Sequence, residues 1–166
     1  MSTISAPVIR REFHDGDVER IVDLHRRVYM PEYDRNEAFL GGVERSLEAA
    51  VAGGWPDAGG GVWLVDDGER LSGSVALTDE GAGRGRVRWV VFGPELRGRG
   101  LGRRLIGEML DRARADGYRR LELETFSALR AAGHLYRSFG FALTWERPRD
   151  DWGPPIVYQH YELPLR

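Results

Sequence analysis

The chain has 166 residues and a formal net charge of -2, enough for one packed domain and without a global basic field that would draw it to nucleic acid. A hydrophobic share of 42% with five Trp argues for a globule rather than a disordered chain. Cysteine is absent, which excludes disulfides, Cys-based zinc sites and thiol nucleophiles and fits a reducing cytoplasm. The N-terminus lacks the basic-then-apolar pattern of a signal peptide, and no apolar run approaches membrane-spanning length, so no membrane partner is expected. All 24 basic residues are Arg. Arginine holds its proton and binds phosphate well, and the chain has no lysine side chain of its own to acylate.

Along the chain, residues 6–13 read as a short strand. From Asp17, Val18, Ile21, Val22, His25, Val28 and Tyr29 recur at helical spacing, and Pro31 is expected to end that helix. A second helix is predicted over 36–52, carried by Phe39, Leu40, Val43, Leu47 and Val51. GGWPDAGGG (53–61) is a turn or loop. Strands over 62–65 and 71–77 form a hairpin; 78–85, rich in Gly and charge, reads as a loop before a strand over 86–92. Leu101, Leu105, Met109 and Ala113, with Ile106 and Leu110 beside them, give the clearest helix, stopped by Gly117. A strand over 121–125, a helix over 128–139 capped by Gly140 and Phe141, and strands near 141–146 and 156–163 complete one domain over 1–166.

The string PELRGRGLGRRLI (94–106) lies between an apolar strand and a helix start. Backbone N–H groups there lack internal partners and sit at the positive end of the helix dipole. Gly98, Gly100 and Gly102 let those donors close around a phosphate, and Arg97, Arg99, Arg103 and Arg104 add positive charge. A P-loop would need a lysine, which the chain lacks. A dinucleotide-binding fingerprint would need Gly where Arg103 stands, on an early strand. What remains is Arg-x-x-Gly-x-Gly at Arg97, Gly100 and Gly102, either a pyrophosphate cradle or a Gly-rich turn capping a helix.

WVVFGPELRGRGLGRRLI resembles the CoA-pyrophosphate motif of GNAT acetyltransferases, and LELETFSALRAAGHLYRSFGF resembles their second cofactor segment, in the same order and at the usual separation. The C-terminal half, through GPPIVYQHYELPL, is most similar to GNAT domains fused to MarR-type regulators; no DNA-binding part precedes it here, so no regulatory role is expected. The resemblance implies an α/β (α+β) fold, a mixed and mostly antiparallel sheet of six to seven strands flanked by about four helices, splayed between the fourth and fifth strands. It implies acetyl-CoA as donor and a small-molecule or peptide amine as acceptor. Val90, Val91 and Phe92 would meet pantetheine, with a backbone N–H there polarising the thioester carbonyl. The segment Arg97, Gly98, Arg99, Gly100, Leu101, Gly102 and Arg103 would hold pyrophosphate, and Tyr136 would protonate the departing thiolate. Where the family often has an Asn contacting CoA, seven residues before that Tyr, this chain has Leu129.

N-acylation needs an uncharged amine, whereas free alkyl amines titrate near pH 10; a base must take a proton, directly or through water. Glu124, then Glu122, alternate out of the apolar register of LELET and are the candidates, against a reading as a solvated strand face. The family places the acceptor near the first two helices, which makes Tyr29, Tyr33 and Arg35 the candidate contacts. Aromatics with an Arg suggest an acceptor carrying a carboxylate or a ring; core packing accounts equally for Tyr29 and Phe39. His14, His25 and His160 show no metal-ligand spacing, so no metal is expected; His134, two residues from Tyr136, reads as a surface or satisfied polar residue, and Ser127 as a helix cap. Three rivals to N-acetyl transfer stay open: O-acylation or a longer donor, a CoA-binding regulatory or partner-binding module without catalysis, and a nucleic-acid module built on the Arg cluster, which the net charge opposes. A last strand exposed at a sheet edge would let two protomers pair as a homodimer.

Overall fold

The computed structural model describes residues 6–166. Its elements follow the expected order: β1 (Val8–Arg10), α1 (Asp17–Tyr33), α2 (Glu37–Ala52), β2 (Gly61–Asp66), β3 (Leu71–Gly81), β4 (Arg84–Phe92), a 3-10 turn (Pro94–Leu96), α3 (Leu101–Ala115), β5 (Arg120–Phe126), α4 (Arg130–Ser138), β6 (Ala142–Arg149) and β7 (Ile156–Pro164). The seven strands form one sheet in the order β1-β2-β3-β4-β5-β7-β6. Neighbours run antiparallel except β4 and β5, which are parallel. The expected mixed, mostly antiparallel sheet with four helices is present.

Strand alternation sends successive side chains to opposite faces, and each face carries its own core. On one, Leu105, Ile106, Met109, Leu110 and Ala113 of α3 and Tyr136 of α4 pack on Val87, Leu121 and Leu123. On the other, Ile21, Leu24, Val28 and Tyr29 of α1 and Leu40 and Leu47 of α2 pack on Leu64, Trp89, Val91 and Phe126. Burying one Leu of this kind contributes about 2 kcal/mol, so both layers hold their helices firmly.

Four local expectations need correction. Helix α1 runs through Pro31 to Tyr33. A proline in the last turn removes only one ladder bond, and Asp34, at φ 54, closes the end by donating its N–H to the Met30 carbonyl. The segment 78–85 is not a loop. Strand β3 continues to Gly81, and Ala82 (φ 56) and Gly83 (φ 74) make a tight turn into β4, the doubly left-handed geometry that suits a twisted hairpin. Ser127 does not cap α4, whose N-cap is Leu129 with no side-chain cap. The last strand, β7, is not an edge: it pairs with both β5 and β6, so the outer position falls to β6, where Leu143 and Trp145 are exposed.

Two irregularities in β4 shape the centre of the sheet. Pairing with β5 covers Arg84–Val87 opposite Arg120–Leu123 and then stops, although both strands continue. In the same stretch the register with β3 slips between Ala76↔Arg88 and Ser74↔Val91, leaving an extra residue in β4, and Trp89 takes φ 47. Such a bulge bends a strand and re-aims its groups. Beyond Val87 the backbone groups of β4 that would have met β5 therefore open onto a cleft.

Candidate functional site

A cavity of about 780 Å³ occupies that cleft. Helices and strands both line it. Gly98, Gly100, Leu101, Gly102 and Arg103 come from the α3 N-terminus; Leu129, Ala132, His134, Leu135 and Tyr136 come from α4; Tyr29, Tyr33, Phe39 and Val43 come from α1 and α2. Val90, Val91 and Phe92 line its floor.

At the α3 end, the backbone N–H groups from Gly98 to Arg103 donate to no backbone acceptor among the described residues; the first ladder bond runs from Arg104 to the Gly100 carbonyl, 3.0 Å. Gly100 is the N-cap at φ 72 and offers no side-chain cap, and Gly98 sits at φ 77. Both need the left-handed conformation that glycine adopts without cost. At Gly102 an added Cβ would make ordinary contacts, 3.5 Å from Leu135 and 3.6 Å from Phe92. A run of unbonded amides at a helix N-terminus is an anion cradle, and its length suits a pyrophosphate. Arg97 is tied to Glu32 at 2.8 Å, and Arg103 lies over the Phe139 ring while donating to Ser138 at 3.2 Å. Arg99 is exposed and lies outside the cavity lining.

Tyr136 is 4% exposed, with its ring edge-on to Phe141. Burial pushes its phenol well above the ordinary range, so it stays protonated at any physiological pH. Tyr29 is likewise pushed up, first by burial and then by the neighbouring Tyr136, and its hydroxyl donates to the Val90 carbonyl at 3.3 Å. Tyr29 thus supports the splayed strand rather than standing free.

The two strand carboxylates part company. Glu122, Glu124 and Phe126 share one face of β5, opposite Glu162, His160 and Tyr158 of β7. Glu124 lines the cavity and accepts a hydrogen bond from the Tyr158 hydroxyl; burial, then that bond, pushes the Tyr158 phenol up. Glu122 is not among the cavity-lining residues. It lies 3.5 Å from the His160 ring and 3.6 Å from Arg86. Arg86 also lies 3.8 Å from Glu80 and 3.9 Å from Glu124. Histidines scattered in sequence are therefore not all scattered in space: ligand atoms of Glu122, His160 and Glu162 fall within 4.8 Å of one another. Arg86 and Arg120 already neutralise the two carboxylates.

Of the expected acceptor contacts, Tyr29 and Tyr33 line the cavity and Arg35 does not. The Arg35 guanidinium donates to the carbonyls of Tyr33 (2.7 Å) and Pro154 (3.0 Å) and is consumed in fixing the chain after α1. Besides Arg97 and Arg103 at the cofactor end, Arg88 lines the cavity, joined by Trp152 and Tyr158, three residues the sequence reading passed over. A signal for Arg88 was present: in RVRWV, Arg86 and Arg88 alternate with the core residue Val87, the same logic that exposed the two glutamates. Trp152 carried no such periodicity, since it lies outside any strand or helix.

His25, also unassigned from sequence, is buried and lines the cavity. Its Nδ1 lies 2.7 Å from the Ile21 carbonyl and must donate there. Burial pushes its pKa down to about 4 from 6.5. The unfolded chain then takes up a proton between pH 6.5 and 4 that the folded chain refuses, so stability falls as pH drops through this window, by about 3 kcal/mol in all. Asp66, which desolvation would raise but Arg20, the Gly68 N–H and Arg10 hold down at about 2, titrates below it. Denaturant melts at pH 6.5 and 4.5 should show a steeper loss for the native chain than for His25→Gln; equal losses would show that His25 is not the group responsible.

Residues 18–141 match the acetyltransferase (GNAT) family. A protein of Azospirillum brasilense named IAA acetyltransferase is 41% identical over 96 residues, 56% of this chain and 59% of that protein; the chain thus aligns with little more than half of that relative's length. The fold is shared with yncA of Salmonella typhimurium, solved with its cofactor acetyl-CoA (TM-score 0.69, 21% identity, 98% of this chain and 95% of that one). It is also shared with an acetyltransferase of the GNAT family from Staphylococcus aureus Mu50 (TM-score 0.74, 15% identity, 96% and 100%). No helix among the described residues is long and apolar enough to cross a membrane. With its splayed sheet, its cradle of unbonded amides at α3 and its family match over most of its length, the chain belongs to the GNAT family of acetyltransferases, which take their acetyl group from acetyl-CoA.

Proposed function

We propose that this protein transfers the acetyl group of acetyl-CoA directly to a primary amine of a small molecule or peptide, with both substrates bound at once. One observation carries the reading. A single cavity joins the unbonded amides of Gly98–Arg103 to Tyr136 and to Glu124, so an anion cradle, a proton donor and a proton acceptor open into one space.

Acetyl-CoA supplies an activated thioester. The α3 amides would hold its pyrophosphate, and Leu101, Gly102 and Phe92 would border the pantetheine. A β4 N–H beyond Val87, left without a β5 partner, is available to the thioester oxygen as negative charge builds there, where a fixed donor contributes about 3 kcal/mol. Glu124, oriented by Tyr158, takes the proton from the amine, and Tyr136 gives one to the leaving thiolate. Leu129, apolar and on the cavity wall, offers packing where related enzymes often place an Asn.

The reading is tested by thiol release from acetyl-CoA against amino acids, polyamines, aminoglycosides, aryl amines and Lys-bearing peptides. Turnover of one amine class supports it; CoA binding without turnover of any amine points instead to a binding module. A Glu124→Gln variant should lose about 100-fold in kcat/KM at pH 7. The deficit should shrink as pH rises toward the amine pKa, where free amine no longer needs a base. A pH profile parallel to that of the native chain would assign the proton to water.

A further inference from the structure

The acceptor side of the cavity carries a cation that no side chain among the described residues bonds. Of the ionisable groups lining it, Arg97 is paired with Glu32 and Arg103 is held against Ser138 and Phe139 at the cofactor end. Between α2 and β5 the charged residues lining it, among the described residues, are Arg88 and Glu124. Among the described residues Arg88 forms neither an ion pair nor a hydrogen bond; its guanidinium lies over the Trp89 ring, 4.5 Å from the centroid. Burial, and then the neighbouring Arg86, lower its pKa, and Glu80 and Glu124 offset that only in part. Its neighbour Arg86 is the contrast, sitting among three carboxylates. A half-buried guanidinium beside an apolar wall costs free energy unless an anion meets it.

The register says where that anion would sit. Val87 and Leu123 are the last parallel pair, so Arg88 and Glu124 are the first residues past it, one on each strand. Val87 and Leu123 face the α3 core, so alternation turns Arg88 and Glu124 to the same opposite face. They stand one residue beyond the last paired position, at the mouth of the splay where the thioester is expected. Beyond them lies an aromatic wall. Tyr33 packs on Phe126 (5.8 Å), Phe39 on Trp152 (5.3 Å) and Trp152 on Tyr158 (5.5 Å), and Arg149 clamps Trp152 from behind, 3.3 Å from its ring centroid.

We infer that the acceptor is a free α-amino acid with an aromatic or large apolar side chain, its carboxylate on Arg88, its amine at Glu124 and its side chain against the Tyr33–Phe126–Trp152 wall. An α-amino acid places amine and carboxylate one carbon apart, matching a cation and an anion on adjacent strands. A peptide N-terminus or a polyamine offers no carboxylate at that spacing. This assignment rests on the acetyl-transfer reading above and adds the identity of the acceptor to it.

Three ligands of one shape separate the contributions: L-phenylalanine, phenethylamine without the carboxylate, and 3-phenylpropionate without the amine. In thiol-release assays the native chain should prefer L-phenylalanine to phenethylamine by about thirtyfold in kcat/KM, the size of a charge-assisted contact. In Arg88→Met that ratio should fall to within about threefold of unity. Binding of 3-phenylpropionate to the CoA-loaded protein, followed by tryptophan fluorescence, should weaken at least tenfold in the same variant. Calorimetric CoA binding checks that the variant is folded. Equal use of both amines by the native chain overturns the assignment whatever the variant does, as does a preference that survives Arg88→Met. Turnover of a polyamine or peptide with neither phenyl compound accepted overturns it while leaving acetyl transfer intact. Turnover of no amine at all removes the reading beneath it.

Discussion

Gly100→Glu is expected to abolish measurable CoA binding while leaving a folded protein. Gly100 holds φ 72 at the start of α3, and a Cβ there would meet nothing within 4 Å. The cost to folding is therefore backbone strain alone, about 1–2 kcal/mol for a residue forced left-handed. The cost to binding is larger, because the new carboxylate would lie against the amides of Leu101, Gly102 and Arg103, which have no backbone acceptor among the described residues. It would take those donors for itself and repel phosphate, weakening CoA by more than about 100-fold. Gly100→Ala shares the strain and lacks the charge. Calorimetric titration should find both variants similarly destabilised and only the Glu variant unable to bind. If Gly100→Glu bound CoA within a few-fold of the native chain, the Gly-rich turn would be a helix cap and no more.

Tyr136→Phe should cut kcat by about 10²- to 10³-fold with little change in CoA affinity. The hydroxyl donates to no protein group among the described residues and opens on the cavity, so its removal leaves no orphaned partner. The Phe ring keeps the edge contact with Phe141, and stability should stay within about 0.5 kcal/mol. Held protonated by burial, the phenol can donate across the whole physiological range, so the deficit should be flat from pH 6 to 9. A variant with native kcat and a raised KM would make Tyr136 a packing residue.

The order of elements was legible in the sequence because periodicity reports burial: α3 shows its stripe at Leu105, Met109 and Ala113, and all three are fully buried. Boundaries were less legible where backbone chemistry decides them. Pro31 reads as a stop, yet the cost of one missing donor in a last turn is small beside the packing of Val28 and Tyr29. Residues 78–85 read as loop because Gly and charge suggest it, yet two left-handed residues are enough to turn the chain. The cofactor side was readable since consecutive residues build it, whereas the acceptor side is assembled from α1, α2, β4, β5 and the segment before β7. Arg35 and Arg88 look alike in a string. Only the fold shows that one is spent on the carbonyls of Tyr33 and Pro154 and the other is left over.

The parting of β4 from β5 has a consequence for motion. An open sheet ordinarily frays from its borders inward, because edge strands have one neighbour and central strands two. Here the shortest stretch of ladder between long neighbours is Arg84–Val87 against Arg120–Leu123, in the middle of the sheet. The molecule is thus scored along its own midline, with β1–β4 on one leaf and β5–β7 on the other. A molecule seated in the score would act as a rivet between the leaves, so that slow amide exchange at the heart of the sheet becomes a gauge of occupancy rather than of global stability.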